Sequence, residues 1–158
     1  MNEEFYTKCE EICWENLIHF NNHIKMFDEL MRRPPKKSTD VTAFKDADIY
    51  DIELKFRGIR LNRYKTLFIE DYKFADMKLH NQFFGFEPIY INFLEDGYVL
   101  VFNLNKLKHY PKTTYKDIES KGKGYVQKDE RRYELSKDDA RIYKRVGDTY
   151  ELIQEGWN

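Results

Sequence analysis

The chain has 158 residues, 41% of them hydrophobic and 16% aromatic, with 35% charged and a formal net charge of −1. This is enough apolar material for one domain with a real core, residues 1–158, and argues against a disordered chain. No apolar run approaches the roughly 20 residues of a membrane-spanning helix, and the opening MNEEFYTKCE has no basic then apolar secretory pattern, so a cytoplasmic protein with no membrane partner is expected.

The charge is unevenly distributed: residues 1–31 carry −5 and residues 32–65 carry +5. A local basic surface attracts polyanions whatever the total charge.

Phe5, Cys9, Ile12, Cys13, Leu17, Phe20, Ile24, Phe27 and Met31 recur every three or four residues. That periodicity predicts one long helix over about 3–32, ended by the RRPPKK segment, where Pro34 steers Arg33 away from helical geometry. Cys9 and Cys13 share a helix face, as do His19 and His23. With no further ligands nearby, both pairs read as structural rather than as a zinc site or a disulfide framework.

Two strands follow in the prediction, 40–45 and 49–59, joined by a turn at Asp46–Asp48. In the second, Tyr50, Ile52, Leu54 and Phe56 alternate strictly with Asp51, Glu53, Lys55 and Arg57, a strong strand signal. A short apolar run at 66–71 precedes a helix over 71–84, with Phe74, Met77, Leu79 and Phe83 as its apolar face and Gly85 as its stop. Two β-rich runs flank Asp96-Gly97 and predict a hairpin, whose Tyr90, Phe93, Tyr98 and Phe102 read as core.

From 111 onward the sequence turns polar and reads as an extension to a core over about 3–110. SKGKG reads as a loop, RRYELS as a strand, and Ser136 with Asp139 as the cap of a helix reaching about Arg145. The order predicts an α/β or α+β fold, a central mixed sheet flanked by helices. No glycine-rich phosphate loop is present, which disfavours nucleoside-triphosphate chemistry.

Residues i and i+2 of a strand share a face about 6–7 Å apart, so Glu53 and Lys55 combine a carboxylate with an ammonium. A hairpin would bring Asp40 back toward them. Hard divalent cations take one or two carboxylates plus phosphate and water. The alternative is a solvated face with cross-strand charge pairs. An acid, any residue, then lysine occurs four times, also at Asp71/Lys73, Asp76/Lys78 and Glu119/Lys121. Only Glu53/Lys55 sits on a clearly alternating strand behind an acid-headed one.

Helix, Thr39-Asp40, hairpin, then Glu53-Leu54-Lys55, a helix and further strands resembles the PD-(D/E)xK nuclease superfamily over about residues 1–104, although Thr39 stands where that pattern has proline. The resemblance implies a restriction-endonuclease-like fold and a nuclease dependent on Mg2+ or Mn2+ acting on DNA or RNA. By it, Asp40 and Glu53 are metal ligands, joined by the Leu54 carbonyl, and Lys55 is the catalytic lysine. Glu11 or Glu15 of the first helix, and Lys73 or Gln82 of the later one, are the accessory candidates it suggests. Arg57, Arg60, Arg63 and Lys65 form a basic run suited to phosphates, and Tyr64 is placed to stack on an unpaired base. Nucleic acid is the expected partner, and a homodimer is compatible with this reading. The rival reading is a noncatalytic nucleic-acid- or protein-binding module on the same fold.

Overall fold

A computed structural model describes residues 3–34, 39–121 and 124–157 of the chain. Helix α1 spans Glu3–Ile24 and buries Cys13, Leu17 and Phe20, spaced i, i+4 and i+7, on one face. It ends eight residues before the expected boundary at 32. Lys25 takes a left-handed φ of 58°. The Asn21 side chain then clamps Phe27 from both sides, accepting from its N–H at 2.8 Å and donating to its carbonyl at 3.0 Å. Phe27 still reaches the core, but from the loop, which is why the helical spacing seemed to continue. Strand β1, Glu29–Arg32, follows, and Met31, expected on the helix face, is 53% exposed. Residues 35–38, within the expected basic segment, lie outside the described residues.

Strands β2 (Val41–Lys45) and β3 (Asp48–Arg57) form the expected hairpin. β4, Thr66–Glu70, leads into α2, Asp71–Phe84. Gly85 ends α2 with a φ of 74°, a conformation open to glycine because it lacks a Cβ. The expected apolar face of α2 is only half used: Phe74 and Met77 are buried, whereas Leu79 and Phe83 are exposed. The Asp96-Gly97 hairpin joins β5 (Glu87–Leu94) to β6 (Tyr98–Asn103), with Tyr90, Phe93 and Phe102 buried.

The polar tail departs most from expectation. β7 (Lys112–Lys121) and β8 (Gly124–Ser136) form a long hairpin. Residues 122 and 123 of the expected SKGKG loop lie outside the described residues. Ser136 does cap, accepting from the Asp138 N–H at 3.2 Å, but only a single 3-10 turn, Lys137–Asp139, results. The predicted helix to about 145 is replaced by β9 (Arg141–Val146) and β10 (Thr149–Gln154). Ile142 and Tyr143 explain the outcome: as neighbours on a strand they point to opposite faces and enter different core clusters. A helix would set them only about 100° apart, unable to reach two opposite faces.

The central sheet has seven strands in the order β1-β2-β3-β5-β6-β9-β10, and a second sheet has the order β4-β8-β7. β3 and β5 pair in parallel, while the other neighbours in the central sheet are antiparallel, so the expected mixed α+β architecture is observed. α1 packs on one face, with Ile52 and Leu54 of β3 beneath it. On the other face lie Phe74 and Met77 of α2, Leu67 and Ile69 of β4 and Leu135 of β8. The acidic side of β3 faces that second layer, not solvent.

Candidate active site

The β2–β3 register pairs Val41 with Ile52, and the Asp40 N–H extends the ladder to the Ile52 carbonyl at 3.0 Å. Asp40 therefore stands across from Glu53, and its Oδ2 accepts the Leu54 N–H at 2.8 Å. Glu53 is 4% exposed. α2 delivers Lys73 to it, with Nζ 2.5 Å from Glu53 Oε1. Burial, followed by repulsion from Asp40, pushes the Glu53 carboxyl up to about 8 against the opposing pull of Lys73. Burial opposes the Lys73 charge, but the Glu53 carboxylate outweighs it and the ammonium is held above its ordinary range. Glu70, at the end of β4, adds negative charge felt by both groups.

Lys55 is half-buried two residues beyond Glu53 and pairs in register with Asn92 of β5. Asn92 is fully buried; its Oδ1 accepts from Arg57 Nε at 3.0 Å, while its Nδ2 has no acceptor among the described residues. Asp40 and Glu53 thus stand opposite each other where β2 and β3 begin their pairing, with Lys73 arriving from α2 and Lys55 two residues beyond Glu53 on the same side of β3.

The other suggested residues divide. Glu11 is engaged with Arg32 of β1 at 2.6 Å, and Glu15 is exposed on α1. The α1 residue that senses the site is Cys13, midway between them in sequence. Burial pushes its thiol up to about 12, Asp40, Cys9 and Glu53 add to this, and Lys55 opposes it. Residues two apart on a helix do not share a face, so Glu11 and Glu15 point away from the direction of Cys13. Gln82 is exposed, and nine residues at about 100° each put it on the opposite side of α2 from Lys73.

The sequence reading missed a second polar cluster next to the first. Asp51 is completely buried. Its Oδ1 accepts from Thr39 Oγ1 at 2.6 Å and Arg33 Nη1 at 3.1 Å, and its Oδ2 lies 2.7 Å from His80 Nδ1 on α2. Arg33 also donates to Thr39 Oγ1, and its N–H binds the Asp40 carbonyl at 2.9 Å. The cluster therefore fastens the segment carrying Asp40 against β3. Charged groups without solvent need such partners, and this replaces the solvated-face alternative. The available signal was His80, seven residues after Lys73 and hence on the same side of α2.

The basic run also divides. Arg57 is tied inward, donating to Asn92 Oδ1, the Phe68 carbonyl and the Tyr90 hydroxyl. The Tyr90 hydroxyl, itself pushed up to about 12 by burial, donates to the same Phe68 carbonyl at 2.9 Å. Arg60, Arg63, Tyr64 and Lys65 are exposed on the connection between β3 and β4, with the Arg63 guanidinium 5.3 Å from the Tyr64 ring centre.

No protein-family model matches the chain, and no curated protein matches it in sequence. Among solved structures it is similar to Archaeoglobus fulgidus Hjc, a Holliday junction resolvase from an archaeal hyperthermophile. The identity is 13% and the TM-score 0.49, over 78% of this chain and 86% of that one. The fold and site together describe an α+β protein whose mixed sheet carries a carboxylate pair, Glu53 buried and Asp40 half-buried, with Lys73 on Glu53 and Lys55 two residues further along β3.

Proposed function

We propose that this chain is a divalent-metal-dependent nuclease that hydrolyses phosphodiester bonds in DNA or RNA, acting in the cytoplasm. The observation that carries the reading is Asp40 directly across from Glu53, with Lys55 two residues on. The donor set fits Mg2+ or Mn2+: two hard carboxylates, of which Glu53 is raised by burial and then by the Asp40 charge, make a site that a small dication neutralises. Such an ion would stabilise charge on the phosphate and lower the pKa of a bound water. Asp40, held by the Leu54 N–H, and Glu53, held by Lys73, would be its side-chain ligands. Lys55 orients the attacking water or meets charge developing on phosphate, so its contribution grows toward the transition state. The exposed Arg60, Arg63 and Lys65 position the phosphate backbone.

The alternative reading is a noncatalytic nucleic-acid-binding module on the same fold. Cleavage of a mixed nucleic-acid panel with Mn2+ decides between the two readings. Lys55→Met should cut about a hundredfold more slowly than the parent while binding Mn2+ at least as well. A folded Lys55→Met protein cutting at the parental rate would remove Lys55 from the mechanism. A parent that binds but never cuts would establish the binding module.

A further inference from the structure

Where the C-terminal end of β3 meets the outer face of the small sheet, a cleft of about 310 Å³ is lined by Arg57, Tyr64, Phe68, Tyr115, Arg132 and Glu134, among others. Its wall is a stack of cations and rings. The Arg57 and Arg132 guanidiniums lie 4.0 and 3.8 Å from the Phe68 ring centre, and Arg132 also lies 4.5 Å from that of Tyr115. Contacts at this distance are attractive. Three hydrogen bonds immobilise Arg57. Arg132 pairs with Glu130 at 3.4 Å, and the carboxylate in the lining, Glu134, is engaged by the Tyr115 hydroxyl. Tyr64, at the rim, is 53% exposed.

We propose that this cleft seats one unpaired nucleotide, its base stacked on the exposed Tyr64 ring and its phosphate drawn by the positive charge of the arginines that line the cleft. This would make the substrate a single strand, or one with unpaired residues beside the cut. A base inside a duplex offers only its edges, whereas a ring such as the exposed Tyr64 stacks on a base face, which only a base out of its stack can offer. The location fits. Arg57 lies four residues from Glu53 on the same side of β3, about 13 Å along the strand. Phe68 is two residues before Glu70, whose charge Glu53 feels. A nucleotide in the cleft is therefore a short stretch of strand away from Asp40 and Glu53. The assignment of a cut rests on the nuclease reading, but the binding preference does not.

The test is fluorescence anisotropy in EDTA, using a labelled single-stranded oligonucleotide and its blunt duplex. The parent should prefer the single strand. Tyr64→Ala, on an exposed connection where folding is not at stake, should lower single-strand affinity by about tenfold relative to duplex affinity, the scale of one lost base–aromatic stack, and Tyr64→Trp should restore it. Equal affinities in the parent, or an equal loss on both probes, would overturn the proposal. Single-strand preference in a parent that does not cut with Mn2+ would sustain the cleft and remove the nuclease reading. Cutting of blunt duplex without single-strand preference would do the reverse.

Discussion

Replacing Glu53 with Gln tests the candidate site through its protons, before any nucleic acid is added. Glu53 rises from an ordinary 4.5 to about 8, through burial first and the Asp40 carboxylate second. Between those values the folded protein holds a proton that the unfolded chain has released. Stability is therefore highest below about pH 4.5 as far as this group is concerned, and falls as pH climbs through about 8. At about 1.4 kcal/mol per pH unit, the loss is on the order of 4–5 kcal/mol. Gln keeps an acceptor for Lys73 but does not titrate, so Glu53→Gln should lack this slope and become the more stable protein above about pH 8. Urea unfolding of both proteins across this range measures it. Metal binding supplies a second reading of the same proton. A dication needs the carboxylate form, so the parent's apparent Mn2+ affinity should climb by up to about tenfold per pH unit to about pH 8 and then flatten. In calorimetry Glu53→Gln, like Asp40→Asn, should bind weakly, and Glu53→Gln should show no such climb. Parallel stability profiles for parent and Glu53→Gln would refute the burial argument.

Two further outcomes follow from the surroundings of the site. Asp51→Ala leaves Arg33, Thr39 and His80 without their buried acceptor; unfolding stability should fall by about 3–5 kcal/mol, and Mn2+ binding should weaken because Asp40 loses its anchor, whereas parental stability would show that the cluster holds nothing. Replacing Arg60 and Arg63 with Ala should weaken nucleic-acid binding across sequences and flatten its salt dependence by about one unit of slope per lost contact; an unchanged slope would place the phosphate contacts elsewhere.

The sequence by itself determined the elements with a local signature. Strict alternation from Tyr50 to Arg57 marked β3, Asp96-Gly97 marked its hairpin, and Gly85 marked the end of α2. These signals depend on neighbours along the chain, so no tertiary context was needed to read them. The end of α1 was misread because Phe27 kept the helical spacing while entering the core from a loop. β9 was hidden because the Ser136 cap is a genuine local preference that the burial of Ile142 and Tyr143 overrides. Gly147-Asp148, a turn pair between two β-rich runs, was the available sign of that hairpin. Only the tertiary structure distinguished the acids of β3. Glu53, Asp51 and Arg57 read alike as an outward polar row, and nothing in their spacing says that α2 and the small sheet cover it. Register sets Asp40 against Glu53. α2 brings Lys73 to Glu53 and His80 to Asp51, and β8 brings Arg132 to the ring of Phe68. These partners are separated by 13 to 64 residues of chain, and a carboxylate's charge state depends on the charges and solvent around it rather than on its neighbours in sequence.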